Sequence, residues 1–165
     1  MHRRPRLTSR RRPSPPHPAP SQARTALAVV GATLCLAACS SAVEVAPPER
    51  IDDPACADPA WPQTLAGQDR TPTDPEGPWV AAWGDPAIIA RCGLPALEPT
   101  TLDCVAVDDI DWIIRELDDG TAMSTYGTDP AIEVLVPEEY GPGPLLLPAF
   151  GDAARALPSS GRQCE

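Results

Sequence analysis

From residue 79 onward, short apolar runs alternate with turn residues. Residues 79–83 (WVAAW) and 87–92 (AIIARC) flank Gly84-Asp85-Pro86. Asp at the first turn position and Pro at the second suit a type I turn, so the two runs predict a hairpin. Residues 102–107 (LDCVAV) alternate, which places Leu102, Cys104 and Ala106 on one face of a strand. Asp108-Asp109 makes a turn into residues 110–117 (IDWIIREL), whose spacing fits either a strand or a helix. Residues 121–126 and 131–136 (AIEVLV) read as two more strands, broken by Gly127-Thr128-Asp129-Pro130, with Ile132, Val134 and Val136 sharing a face. Residues 145–157 (LLLPAFGDAARAL) give the best helix, starting near Pro148, and residues 62–66 a short helical turn. The sum predicts an α+β domain: a small antiparallel sheet with one or two helices.

The N-terminal pattern is different. Arg3, Arg4, Arg6, Arg10, Arg11, Arg12 and Arg24 precede an apolar run over residues 25–38 (TALAVVGATLCLAA), which ends at Cys39. A positive segment followed by 14 apolar residues suits an export signal and is too short for a spanning helix, which needs about 20. Pro13 and Ser14 stand where a twin-arginine signal would carry apolar residues, so the general export route is expected. Leu36-Ala37-Ala38-Cys39 has the form of a lipobox. The expected processing attaches a diacylglyceryl group to the Cys39 thiol and cleaves before it; two or three acyl chains then give stable anchoring. Cys35 leaves with the signal. The expected organisation is a lipoprotein signal over residues 1–38, a lipidated tether over 39–49 and one extracytoplasmic domain over 50–165. The expected location is the cell membrane, lipid-anchored on its extracytoplasmic face.

Removing the signal changes the charge. After residue 38 there are six arginines, no lysine and 23 acidic residues, a formal charge of −17. Such a surface argues against nucleic acid and against electrostatic adhesion to anionic lipid, so acyl chains must hold the protein to the membrane. It serves solubility, or attraction for cations or a basic partner.

Four cysteines remain: Cys56, Cys92, Cys104 and Cys164. An even number in an exported chain predicts two disulfides with three possible connectivities. Cys92–Cys104 with Cys56–Cys164 is the favoured pairing, because the first closes a short loop and the second joins the start of the domain to its end. No paired CxxC spacing and no histidine support a metal site. Both histidines, His2 and His17, leave with the signal. The mature chain therefore has no Ser-His-Asp or Cys-His pair, no HExxH helix, no Schiff-base lysine and no P-loop lysine. No cofactor is expected.

The remaining candidates each have a structural alternative. Trp61, Trp79, Trp83 and Trp112 are able to stack on sugars or to fill the core. Arg91 suits a carboxylate or phosphate ligand, or an internal ion pair. Asp111 with Glu133 or Glu138 makes an acid pair for glycoside hydrolysis only across a cleft. Asp108, Asp109 and Asp111 form a solvated turn or a weak Ca²⁺ site without the spacing of an EF-hand. Trp83, Asp85, Arg91, Asp111 and Trp112 are the binding candidates.

Residues 81–89 (AAWGDPAII) followed by Arg91-Cys92-Gly93 resemble an AAWGDP…RCG block of domain-of-unknown-function family 3515, a family of actinobacterial envelope proteins. Cys56 with Leu65-Ala66-Gly67, Cys104 leading to Val107-Asp108, Asp111-Trp112, Tyr126-Gly127 and residues 131–137 extend the likeness over most of residues 54–165. Thr128 and Asp109 depart from it, standing where the family often has Arg and Gly. The resemblance implies an exported, often lipid-anchored protein and supplies no activity. The expected function is a non-enzymatic binding or structural module of the cell envelope, its partners the membrane and an envelope component; a carboxylate hydrolase acting on envelope polysaccharide and a divalent-cation-binding protein are the alternatives.

Overall fold

The computed structural model describes residues 41–164; the export signal and Cys39 lie outside the described residues. Two short strands, β1 (Val43–Glu44) and, further along, β4 (Thr73–Asp74), pair in parallel. The other strands are β2 (Thr64–Leu65), β3 (Gln68–Thr71), β5 (Val80–Trp83), β6 (Ile88–Leu94), β7 (Cys104–Val107), β8 (Ile110–Leu117), β9 (Gly120–Tyr126) and β10 (Ala131–Pro137). They form one antiparallel sheet in the order β2-β3-β5-β6-β10-β9-β8-β7. After β6 the chain crosses to the far edge and returns strand by strand, so β10 enters between β6 and β9. The expected α+β domain, a sheet with a C-terminal helix and two disulfides, is the observed fold.

Register explains which residues fill the core. Ile110, Trp112 and Ile114 of β8 lie on the same face as Met123, Val134 and Ala90 of the strands paired in turn beyond it. Residues 110–117 are a strand because this period-2 set continues the buried face of both neighbours. The same register corrects the face expected for β7. Val105 opposes Trp112 and Val107 opposes Ile110, so these two valines pack on the core, whereas Leu102 is 47% exposed and Ala106 is exposed.

The C-terminal segment covers that core with Leu147, Phe150, Ala153, Ala154 and Leu157. It is helical in a tighter form than expected. A 3₁₀ segment runs from Gly143 to Phe150, and only Gly151–Arg155 is α-helical (α1). Pro144 and Pro148 lack the N–H that a continuous α-helix requires there. The helical turn expected at 62–66 is replaced by the β2–β3 hairpin, which turns on Ala66 and Gly67 at φ 50° and 76°. A 3₁₀ turn forms upstream instead, at Pro54–Cys56, where the Asp53 carboxylate accepts the Ala55 N–H at 3.0 Å. The β5–β6 hairpin forms as expected, although its Asp85–Pro86 peptide is cis, where a type I turn was expected.

The disulfides are Cys56–Cys92 and Cys104–Cys164, in place of the pairing favoured above. Sheet order is the reason: β6 and β7 are separated by β10, β9 and β8, so Cys92 and Cys104 lie on strands far apart in the sheet. Cys92 is instead met by the Pro54–Cys56 turn, and Cys104 by the end of the chain. Gly93 (φ 114°) allows that first meeting, because a Cβ there would lie 2.8 Å from the Arg50 carbonyl. Part of residues 39–49, the segment expected as a tether, is docked on the fold. Val43 already donates to Pro72 O at 2.8 Å, and Val45 is buried.

Asp108 and Asp109 make the two-residue β7–β8 turn with φ of 52° and 63°. Left-handed conformations cost non-glycine residues about 1–2 kcal/mol, and Gly suits the second position of such turns. Asp109→Gly should therefore raise stability by about 1 kcal/mol in urea unfolding; an unchanged or lower value would show that the turn is not strained at this position. The Asp53 carboxyl is held below the usual range, chiefly by the Ala55 N–H and then by Arg50. A depressed carboxyl stabilises the fold above its ordinary pKa and loses that contribution as pH falls. The gap in melting temperature between wild type and Asp53→Ala should therefore narrow on acidification below about pH 4; a gap independent of pH would contradict this.

Candidate functional site

The face of the sheet opposite α1 carries a cluster of Glu133, Arg91 and Arg115. Glu133 on β10 opposes Arg91 on β6 and is only 4% exposed. The Arg91 Nε and Nη2 both donate to Glu133 Oε2, at 2.9 and 2.6 Å, and Arg115 Nη2 approaches Oε1 at 3.5 Å. Arg91 Nη1 also donates to Ala46 O at 2.9 Å. Arg91 is thus committed to an internal ion pair and to the entering chain, its structural alternative.

The tryptophans are core residues. Trp61, Trp79, Trp83 and Trp112 are all buried. Trp61 and Trp83 meet Phe150 edge-on, with centroids 6.4 and 5.8 Å apart, and donate their indole N–H groups to Pro78 O and Pro62 O. The Trp112 Nε1 has no protein acceptor. No tryptophan-lined groove exists among the described residues. Asp111 accepts the Cys164 N–H at 2.7 Å and Glu133 is paired with Arg91, so these two acids hold structural partners; Glu138, the other acid considered with Asp111, is exposed in the turn after β10. Among the described residues no group of three or more His, Cys, Asp or Glu side chains is gathered as for a metal. Asp85 is exposed at the β5–β6 turn.

Two roomy concavities are candidate sites; a smaller one, about 210 Å³, is bordered by Asp111, Tyr126 and Arg162. The larger of the two, about 670 Å³, is lined by Ile113, Tyr126, Leu102, Arg162 and the Cys104–Cys164 disulfide. The end of the chain is fixed there: Arg162 donates to Leu97 O at 2.8 Å and pairs with Glu98, and Ser160 N–H bonds Gly127 O. Gly127 (φ 84°) permits this, since a Cβ would meet the Arg162 carbonyl oxygen at once. The second, about 570 Å³, lies beside the start of the described chain and is lined by Ser41, Val43, Gln68, Arg70, Thr71 and Asp85. Arg70 sits 5.1 Å from the Trp83 ring centroid. Of the five sequence candidates, only Asp85 borders either of the two roomy concavities. Tyr126, Arg162 and Arg70 were not among them; Tyr126 carried a weak signal in its Tyr-Gly pair, and Arg70 carried none beyond being one of six cations.

The family model DUF3515, a protein family of unknown function, matches residues 23–159. The chain belongs to the DUF3515 family. Neither a search of curated proteins nor one of solved structures returns a match. The DUF3515 match takes in the whole sheet, both concavities in large part, and the apolar run before Cys39. No helix among the described residues is long and apolar enough to cross a membrane.

In this DUF3515 protein, removing the buried carboxylate strands Arg91 against the sheet. Glu133→Ala should lower unfolding free energy by about 3–5 kcal/mol. Arg115→Ala, which removes an exposed and longer contact, should cost less than about 1 kcal/mol. Equal losses in urea titrations of the two variants would refute the assignment of Arg91–Glu133 as the dominant pair.

Proposed function

We propose that the mature protein is a lipid-anchored extracytoplasmic module of the cell envelope that acts by binding and not by catalysis. The observation that carries the anchor is the lipobox cysteine placed four residues ahead of the first docked strand residue, Val43. Two disulfides accord with an oxidising compartment. The family match begins within the export signal, so Cys39 lies inside the matched segment.

The larger concavity supports the binding role. Its floor, Ile113 and Tyr126, belongs to the rigid sheet, and its rim is clamped by Cys104–Cys164. That pre-organisation lowers the ordering cost of a ligand. The mature chain contains neither histidine nor lysine, and its most buried carboxylate is neutralised by arginine. The partner is an envelope component that tolerates a strongly acidic surface.

Intact-mass analysis of protein isolated from membranes should show a diacylated Cys39 as the first residue. Cys39→Ala should lose that mass and leave the membrane fraction; an unlipidated wild type overturns the anchor. Isolated cell-wall material should retain the protein, and Tyr126→Ala should weaken retention several-fold while keeping the far-ultraviolet spectrum. Absence of retention, or retention indifferent to Tyr126, removes the binding role assigned to this groove.

A further inference from the structure

We infer that Arg70 contacts the phosphate of an anionic phospholipid headgroup in the groove beside the chain's entry into the fold. The inference deepens the anchored reading and rests on it.

The first argument is the pairing of the arginines. Arg50, Arg91, Arg115, Arg155 and Arg162 each bridge a carboxylate. Arg70 alone of the six has no carboxylate within salt-bridge reach among the described residues, in a mature chain with 23 acids. Asp69 and Asp85 border the same groove without reaching it. Its residue is exposed, and the guanidinium lies over the buried Trp83 ring, which restrains it without neutralising it. A planar, permanently charged fork of donors matches phosphate geometry.

The second argument is position. Ser41 and Val43 line the groove with Arg70, and Val43 N–H is tied to Pro72 O, two residues beyond Arg70. Three residues separate Cys39 from Val43, and the four Cα steps reach at most about 14 Å. The headgroup layer of one leaflet is roughly 5–7 Å deep. A diacylated Cys39 therefore brings this groove against the headgroups. The net charge of −17 disfavours an anionic leaflet, and the one arginine without a carboxylate in salt-bridge reach among the described residues lies on the side where the anchor enters, which favours that side facing the bilayer.

The test reads arginine reactivity in the native lipoprotein. Wild-type protein extracted from membranes is placed in nanodiscs of phosphatidylglycerol or of phosphatidylcholine, and in detergent with or without inorganic phosphate. Phenylglyoxal modification is followed by mass spectrometry, with exposed Arg155 as the internal reference. Arg70 should react about five-fold more slowly in phosphatidylglycerol discs than in phosphatidylcholine discs, a change expected for one arginine at an anionic surface. Inorganic phosphate should leave its rate unchanged. Equal rates in the two discs overturn the inference. Protection by inorganic phosphate equal to that in phosphatidylglycerol discs overturns the lipid as ligand and makes the groove a soluble-anion site. An intact mass without lipid on Cys39 overturns the anchor and this inference together, whereas a lipidated protein with an unprotected Arg70 overturns this inference alone.

Discussion

The pairing of β10 with β6 is the constraint on which the fold depends. It joins the two halves of the sheet, one built from residues before the 95–103 crossing and one from residues after it. β10 is apolar on both faces apart from Glu133, and a strand of that kind has little to stop it slipping by a residue. Glu133 opposite Arg91 supplies the stop. A one-residue shift would turn the carboxylate into the core and leave Arg91 unpaired, which costs far more than any gain in apolar contact. The pair contributes register more than net stability, because both ions were solvated before folding. Arg91 extends the same constraint to the entering chain through Ala46 O.

That junction also explains what the AAWGDP…RCG block of this chain does. Ala81 and Ala82 are buried on opposite faces of β5. Trp83 fills the core against Phe150, Arg91 locks the central register, Cys92 bonds Cys56, and Gly93 lets the Arg50 backbone cross at contact distance. These residues are accounted for by folding, while Asp85 of the same block stays exposed at the β5–β6 turn and borders the second concavity. A recognisable block need not mark a catalytic centre; here it marks the place where distant segments meet.

The strands from β5 onward were mostly legible because their cues are local, whereas the four short strands before them were not. Alternation in AIEVLV, and turn residues at 84–86 and 127–130, report on neighbours a few positions away, whereas IDWIIREL fits a strand or a helix until its paired neighbours are placed. The features that eluded sequence reading depend on strand order. LDCVAV alternates equally well for either face, and only pairing with Trp112 and Ile110 selects Val105 and Val107. The disulfides followed the same logic: Cys92 and Cys104 are close in sequence and far apart across the sheet. The prolines at 144 and 148 gave a local signal, yet their effect is to tighten the helix into a 3₁₀ segment that still covers the core.

The candidate sites were the least legible, and the reason is geometric. Each concavity forms where a segment outside the long strands meets the sheet: Gln163 and Cys164 beside Tyr126, and Ser41 beside Arg70. No window of the sequence contains both sides of either one. The residues that looked chemically promising were the aromatic and charged ones inside apolar runs, and such residues are drawn into the core or into compensating pairs, as Trp83, Trp112 and Arg91 were. In a protein this acidic, an arginine without a carboxylate is a stronger indication of an outside partner than any exposed acid, because nearly every alternative would have paired it internally.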